Sequence, residues 1–316
     1  MKSFKVLFLS FIFFSINNLN AQDSLYFQSI NSKFIVKPNA VLQSYKLNIH
    51  SKNFKMIYKP DNSLNVGVNF TYKKIGIGLA YNLLNQDENI LDEKTTFYDI
   101  RVNYFSRHLA INMYYDYYKG FSIDELPEEF VNDQKIEKAQ PNLKLMAIGA
   151  NVFYAFSKKH SFKAIYNYTE IQKKSAGSFL LGLSQFYTLL YSKKNIFPDA
   201  IAEKYKIPIR SNYGKFYTLL PFVGYTYTFV KGAFYSGITL AVGGGTQWQR
   251  YKVANIKQND FNWAYKYYSV LKIGHNATHW FYGISFSLDR NTAFIDKAII
   301  NFQYNQLMFF VAYRWL

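Results

Sequence analysis

The run Ile75-Gly76-Ile77-Gly78-Leu79-Ala80-Tyr81-Asn82 puts bulky apolar side chains on one side of an extended chain and small or weakly polar ones on the other. The same two-residue period returns at 64–72, where Leu64, Val66, Val68, Phe70 and Tyr72 oppose Asn65, Gly67, Asn69 and Thr71. It returns again where Tyr98, Ile100, Val102 and Tyr104 oppose Asp99, Arg101 and Asn103, and where Trp280, Tyr282, Ile284, Phe286 and Leu288 oppose Gly283, Ser285, Ser287 and Asp289. Further segments of this kind run over 108–118, 143–156, 161–169, 178–191, 214–230, 233–247, 265–274 and 302–315. Short polar links join most of them, so neighbouring strands are expected to pair antiparallel. No helical pattern of 10 to 15 residues stands between most of them, which disfavours a parallel α/β sheet.

What covers the bulky side decides the fold class. In a soluble sandwich a second sheet covers one face, and water reaches the other, which should then be rich in Lys, Glu and Thr. Here the weaker face is mostly Gly, Ala, Asn, Ser, Thr and Tyr. Such a face suits a narrow lumen, and the bulky face suits hydrocarbon. Beyond the N-terminus no apolar run approaches the length of a membrane helix, but a membrane strand needs only about 9–11 residues. Tyr and Trp near the strand ends, among them Tyr72, Tyr81, Tyr98, Tyr104, Tyr117 and Trp315, match an interfacial girdle. The expectation is an all-β, antiparallel up-and-down transmembrane β-barrel of about 12 strands, with 10 or 14 as alternatives. A secreted soluble β-rich binding protein is the competing class.

The N-terminus reads as a secretory signal over 1–21: Lys2 and Lys5, an apolar core from Val6 to Ile16, and Ala21 before the cleavage point. Residues 22–63 form an N-terminal segment that can hold additional strands, and 64–316 the barrel. Cysteine is absent, which excludes a disulfide-stapled secreted module. The 37 basic and 20 acidic residues give a formal charge of +17, but the lysines are scattered or paired at turns, so nucleic acid is excluded as a partner. The expected location is the cell outer membrane. Its expected partners are the lipid bilayer and the barrel assembly machinery, with lipopolysaccharide a further candidate.

Three stretches go beyond composition: 58–83, 98–121 and 161–182, with Tyr58-Lys59-Pro60, Tyr118-Lys119-Gly120-Phe121 and Glu170-Ile-Gln172-Lys173-Lys174-Ser175-Ala176-Gly177-Ser178 as their most specific pieces. They resemble an uncharacterised family of exported proteins from Bacteroidota, domain of unknown function 4421. The resemblance implies an outer-membrane β-barrel setting and no particular reaction.

Among candidate site residues, Glu170, Gln172, Lys173 and Lys174 form the densest polar connection between two expected strands. They are candidates for binding a headgroup or an anionic glycan, or for pairing inside the rim. The plain alternative is a wet, flexible link through Ser175, Ala176 and Gly177. Tyr118 and Lys119, with Gly120 and Phe121, form a candidate rim motif, or else a strand exit bent at Gly120. Asp124, Glu125, Glu128 and Glu129 read as a solvated acidic loop, a divalent-cation site or an internal latch against basic residues. His275 and His279 flank a turn, where four-residue spacing does not bring ligands together, so no metal is expected. No cofactor fingerprint or poised nucleophile is present, and an enzyme is not expected; a barrel-embedded lipid-modifying hydrolase is the alternative. The leading role is solute or lipid binding or passage, or envelope organisation.

Overall fold

The computed structural model describes residues 25–60, 64–82, 95–133, 135–205, 212–253, 256–295 and 298–316; the expected signal peptide lies outside them. In chain order the strands are β1 (Phe27–Ser29), β2 (Phe34–His50), β3 (Lys55–Lys59), β4 (Leu64–Tyr72), β5 (Ile75–Asn82), β6 (Thr96–Phe105), β7 (Leu109–Glu125) and β8 (Ala139–Ala155). They continue as β9 (Glu170–Gln172), β10 (Ala176–Tyr191), β11 (Tyr213–Lys231), β12 (Phe234–Val253), β13 (Ile256–Asn276), β14 (Trp280–Ile295) and β15 (Ala298–Trp315). A 3-10 turn at Glu128–Phe130, a π-helical turn at Lys163–Asn167 and the short helix α1 (Asp199–Lys204) complete the described elements. No described helix is long and apolar enough to cross a membrane.

Thirteen described strands form one antiparallel sheet, and β1 pairs with β9 in a separate two-stranded ribbon. The sheet returns on itself where β15 pairs with β2, from Ile299 opposite His50 to Trp315 opposite Phe34. The all-β, antiparallel character stands, but the expectation of a closed up-and-down barrel is corrected. The sheet is a branched ring and not one meander curled into a closed barrel. The branch is β3, which pairs with the far end of β2 and with β7, while β4 pairs with the near end of β2 and β6 with the near end of β7. The short strands β4, β5 and β6 therefore occupy one level of the wall and β3 another.

One expected strand is also replaced. The segment 161–169 lies inside the ring as the π-helical turn and its flanks, while Phe34–His50 supplies a strand of the wall. Inside the ring a segment touches protein on every side, so a two-sided burial pattern has no physical basis there. A short apolar run of this length does not distinguish strand from helical turn.

Side-chain direction follows the sequence period. Ile75, Ile77, Leu79 and Tyr81 stand exposed on the outer face, as do Phe70, Tyr72, Ile273, Ile284, Phe309 and Val311. Inward small residues make room for their neighbours: a Cβ on Gly67 would come within 2.6 Å of Asn39 Oδ1 and 2.8 Å of the Leu79 carbonyl. Aromatics gather where the outer belt ends. Trp315 stacks on Phe34 at 4.5 Å between ring centres, and Tyr313 meets Trp280 at 4.8 Å. Toward the other end, Trp248 lies 5.6 Å from Tyr217 and 5.2 Å from Phe261.

β7 does not end at the expected Gly120 bend. It continues to Glu125 through a bulge that shifts its register against β8 between Lys119 and Phe121. Gly120 holds φ at +89°, a left-handed conformation that a side chain makes costly. Gly120→Ala is expected to destabilise the protein by about 1–2 kcal/mol, read as a lower denaturant midpoint.

Candidate functional site

The ring's interior is filled in layers. At the end that carries Phe34 and Trp315, the segment between β8 and β10 turns inward as a plug. Its residues Phe162, Ala164, Ile165 and Tyr168 are all buried. At the opposite end, buried side chains of the wall (Leu47, Met56, Tyr58, Phe121, Leu145, Phe216 and Phe302) meet Phe130, Phe197 and Ile201 from the connecting segments. The Tyr58 hydroxyl donates to the Ile196 carbonyl, which fixes that cap to β3. Between plug and cap lies a polar cavity of about 210 Å³, bordered by Lys37, Arg101, Asp116, Tyr168, Lys272 and Asp289, among others.

The cavity walls hold two paired charge groups. Arg101 reaches Asp99 at 2.6 and 2.9 Å and Asp116 at 2.6 Å, and its guanidinium lies 4.8 Å from the Tyr304 ring centre. Asp99 also accepts from Gln43 at 2.9 Å and from Tyr304 at 3.1 Å, and Gln43 donates to the Tyr118 hydroxyl at 2.7 Å. Opposite, Lys266 contacts both oxygens of Asp289 at 2.6 Å. Two carboxyl groups share one guanidinium, whereas Lys266 meets a single aspartate.

The plug is pinned by one carboxylate. Glu170 is fully buried and accepts from Ser161 at 2.6 Å, from Lys163 and Arg107 at 3.0 Å, and from Ser29 at 3.2 Å. Burial pushes its carboxyl up, but the Ser161 hydrogen bond and the Lys163 and Arg107 charges outweigh it, so it titrates below the ordinary glutamate value. On the other side of the plug, Arg314 of β15 donates to the Tyr168 carbonyl at 2.6 Å and also contacts the Ala277 carbonyl and the Asn276 side chain. Tyr168 itself takes a left-handed φ of 60° and stacks on Phe281 at 4.4 Å.

The residues singled out from sequence are distributed as follows. Glu170 sits in the plug network, and Gln172 is buried beside it, donating to the Lys159 and Lys174 carbonyls at 2.7 and 3.0 Å. The Lys173 and Lys174 main chain bonds to the Tyr26 carbonyl, and the Lys174 ammonium lies 5.7 Å from the Tyr26 ring. Tyr118 is buried in the upper core against Tyr45 and Phe97, while Lys119 follows at the edge of the bulge. Three of the four acidic-loop residues meet lysines: Glu125 meets Lys55 at 2.6 Å, and Asp124 and Glu129 pair with Lys59 and Lys204. His275 lies between the Phe234 and Tyr282 rings and His279 against Tyr313, so they do not converge. Among the described residues no cluster of three or more metal-ligating side chains occurs.

Sequence reasoning did not single out Lys37, Tyr166, Tyr168, Lys272 or Arg314. Arg314 carried a faint signal as the one charge on the final described strand. The others become meaningful only once the plug is inside the ring.

Fold and interior together define an all-β protein: a branched antiparallel ring around an inward plug and a small polar cavity. The chain belongs to the family described as Domain of unknown function (DUF4421), whose model matches residues 21–315. No curated protein matches the chain. Among solved structures, the outer membrane protease OmpT from Escherichia coli is similar at 9% identity and a TM-score of 0.41, over 91% of this chain and 99% of that one. OmpT of Vibrio cholerae is similar at 9% identity and a TM-score of 0.35, over 89% and 97%. The P. putida toluene transporter TodX is similar at 8% identity and a TM-score of 0.31, over 90% of each chain. Likenesses this distant carry no argument about what the chain does.

Proposed function

We propose that the ring sits in the outer membrane with lipid hydrocarbon covering its outer face, and that it holds a small solute rather than conducting one. The observation that carries the first half is the exposed apolar belt. On β14 it runs from Trp280 to Leu288 and ends at the exposed charge of Arg290. At about 3.4 Å per residue and the roughly 35–45° tilt of membrane strands, that run spans roughly 20–25 Å, close to the apolar band of an outer-membrane protein. Water-exposed patches of this extent are rare on soluble monomers.

The second half follows from the filled interior. An open channel needs a continuous water path, and among the described residues the plug below and the aromatic cap above bound the cavity between them. The barrel assembly machinery is the partner this reading requires for insertion. A hydrolase reading finds no support in the placement of the histidines, since His275 and His279 lie against aromatic rings rather than carboxylates.

The test is reconstitution. The mature chain is expected to float with liposomes in a density gradient and to give no steady current in planar bilayers. Recovery in the aqueous fraction without detergent would overturn the membrane assignment. Steady ohmic conductance of the folded wild type would overturn the closed interior.

A further inference from the structure

Among the described residues, the cavity floor carries two lysines that no carboxylate pairs. Lys37 of β2 has its ammonium 5.4 Å from the Tyr168 ring centre and 5.0 Å from that of Phe310. Lys272 of β13 is buried, with its ammonium 4.0 Å from the Tyr166 ring centre and 5.7 Å from Tyr168. Its hydrogen bond goes to the Ile165 carbonyl at 3.3 Å. Both ammonium groups thus approach the same Tyr168 ring. The third nearby cation, Arg314, is bound to carbonyl oxygens and an asparagine side chain. Among the described residues, the carboxylates bordering the cavity are engaged elsewhere: Asp116 holds Arg101 and Asp289 holds Lys266.

Like charges gathered in a poorly solvated space are costly unless a counter-charge joins them. The aromatic faces offset part of that cost and leave ammonium protons free to donate. Ser285, Ser287, Asn69 and Gln306 border the same cavity and add neutral polar groups. At about 210 Å³ the space falls below the roughly 300 Å³ at which pockets for drug-sized ligands begin.

We propose that this cavity binds a small free oxyanion of the phosphate, sulfate or short-carboxylate class between Lys37 and Lys272. The inference deepens the solute-holding reading and rests on it. The position of the two lysines sets the orientation: the anion lies at the plug end, away from the Asp99 and Asp116 carboxyl groups that hold Arg101. A lipid headgroup is not the source, because its acyl chains would have to enter the ring with it.

The test uses the full mature chain, refolded with and without inorganic phosphate in a phosphate-free detergent, so that access past the plug is not limiting. Equilibrium dialysis with radiolabelled phosphate is expected to show saturable uptake that sulfate competes away. Lys272→Met and Lys37→Met are each expected to weaken it about tenfold or more, the worth of one hydrogen bond to a charged group. The exposed-site variant Lys158→Met should bind as wild type. Lys272→Arg, which keeps the charge, should retain binding and guards against a Lys272→Met chain that fails to fold. No saturable uptake by folded wild type, or undiminished uptake when both lysines are replaced, would overturn the site. Uptake only when phospholipid is added would assign the phosphate to a headgroup and overturn the free-anion form. Liposome flotation of the same samples separates the two readings: a chain that floats but takes up no anion loses only this site, and one that binds without floating loses only the membrane setting.

Discussion

Ile284→Arg is expected to destabilise the lipid-inserted protein by about 2–4 kcal/mol, the cost of a basic side chain near the bilayer midplane of a membrane sheet. Ile284 lies midway along the outer belt of β14, flanked by Ile273 on β13 and Phe309 on β15, and all three are exposed. No described protein group covers it, so the cost can come only from what surrounds the protein. In water the same substitution removes an exposed apolar side chain and should change stability by no more than about 0.5 kcal/mol. Urea unfolding in liposomes, compared with a matched Arg290→Ile variant at the belt's edge, reads the difference. A shift of less than about 0.5 kcal/mol for Ile284→Arg would place water against this face and defeat the membrane reading.

Glu170→Gln is expected to loosen the plug by about 1–3 kcal/mol, because it leaves Lys163 and Arg107 around a neutral group and weakens the Ser161 bond. Lys163 and Arg107 keep some access to water, so the upper range for a buried ion pair does not apply. The predicted signature is local: trypsin should cut at Lys159, Lys163 or Lys173 in the variant under conditions where the wild-type plug survives. The acid dependence has a definite sign. Glu170 titrates lower in the folded chain than in the unfolded one, so its contribution is present above the unfolded value of about 4.3 and is lost as pH falls through the folded value. Wild-type protection of the plug should therefore fall on acidification below about pH 4.3, and Glu170→Gln should lack that step. Equal proteolysis of both chains at neutral pH would remove Glu170 from the role of pin.

The wall was legible in the sequence wherever a strand has two unlike surroundings. Ile75 to Tyr81 and Trp280 to Phe286 alternate because one side meets the exterior and the other a crowded interior, and period two records that contrast. Inside the ring the contrast vanishes. Phe162, Ala164, Ile165 and Tyr168 are all buried, so their spacing does not separate a strand from the helical turn that forms there. The branch at β3 was hidden for another reason: pairing with β7 is a relation between distant segments, and Lys55–Lys59 is too short to announce its partner. The cavity was less legible still. Lys37 and Lys272 lie far apart in the chain among many other lysines, and only the plug's tyrosine rings bring them together.

Arg314 ties the plug to the strand that closes the ring. It sits next to the last residue of β15, the strand that joins the end of the chain back to β2, and its guanidinium holds the main chain of Tyr168. The same strand supplies both the seam with β2 and a main-chain hold on the inward turn, beside the contacts of Lys272 and Tyr235. Sealing the perimeter and fastening its stopper thus fall to one strand, and a variant lacking β15 would forfeit both at once.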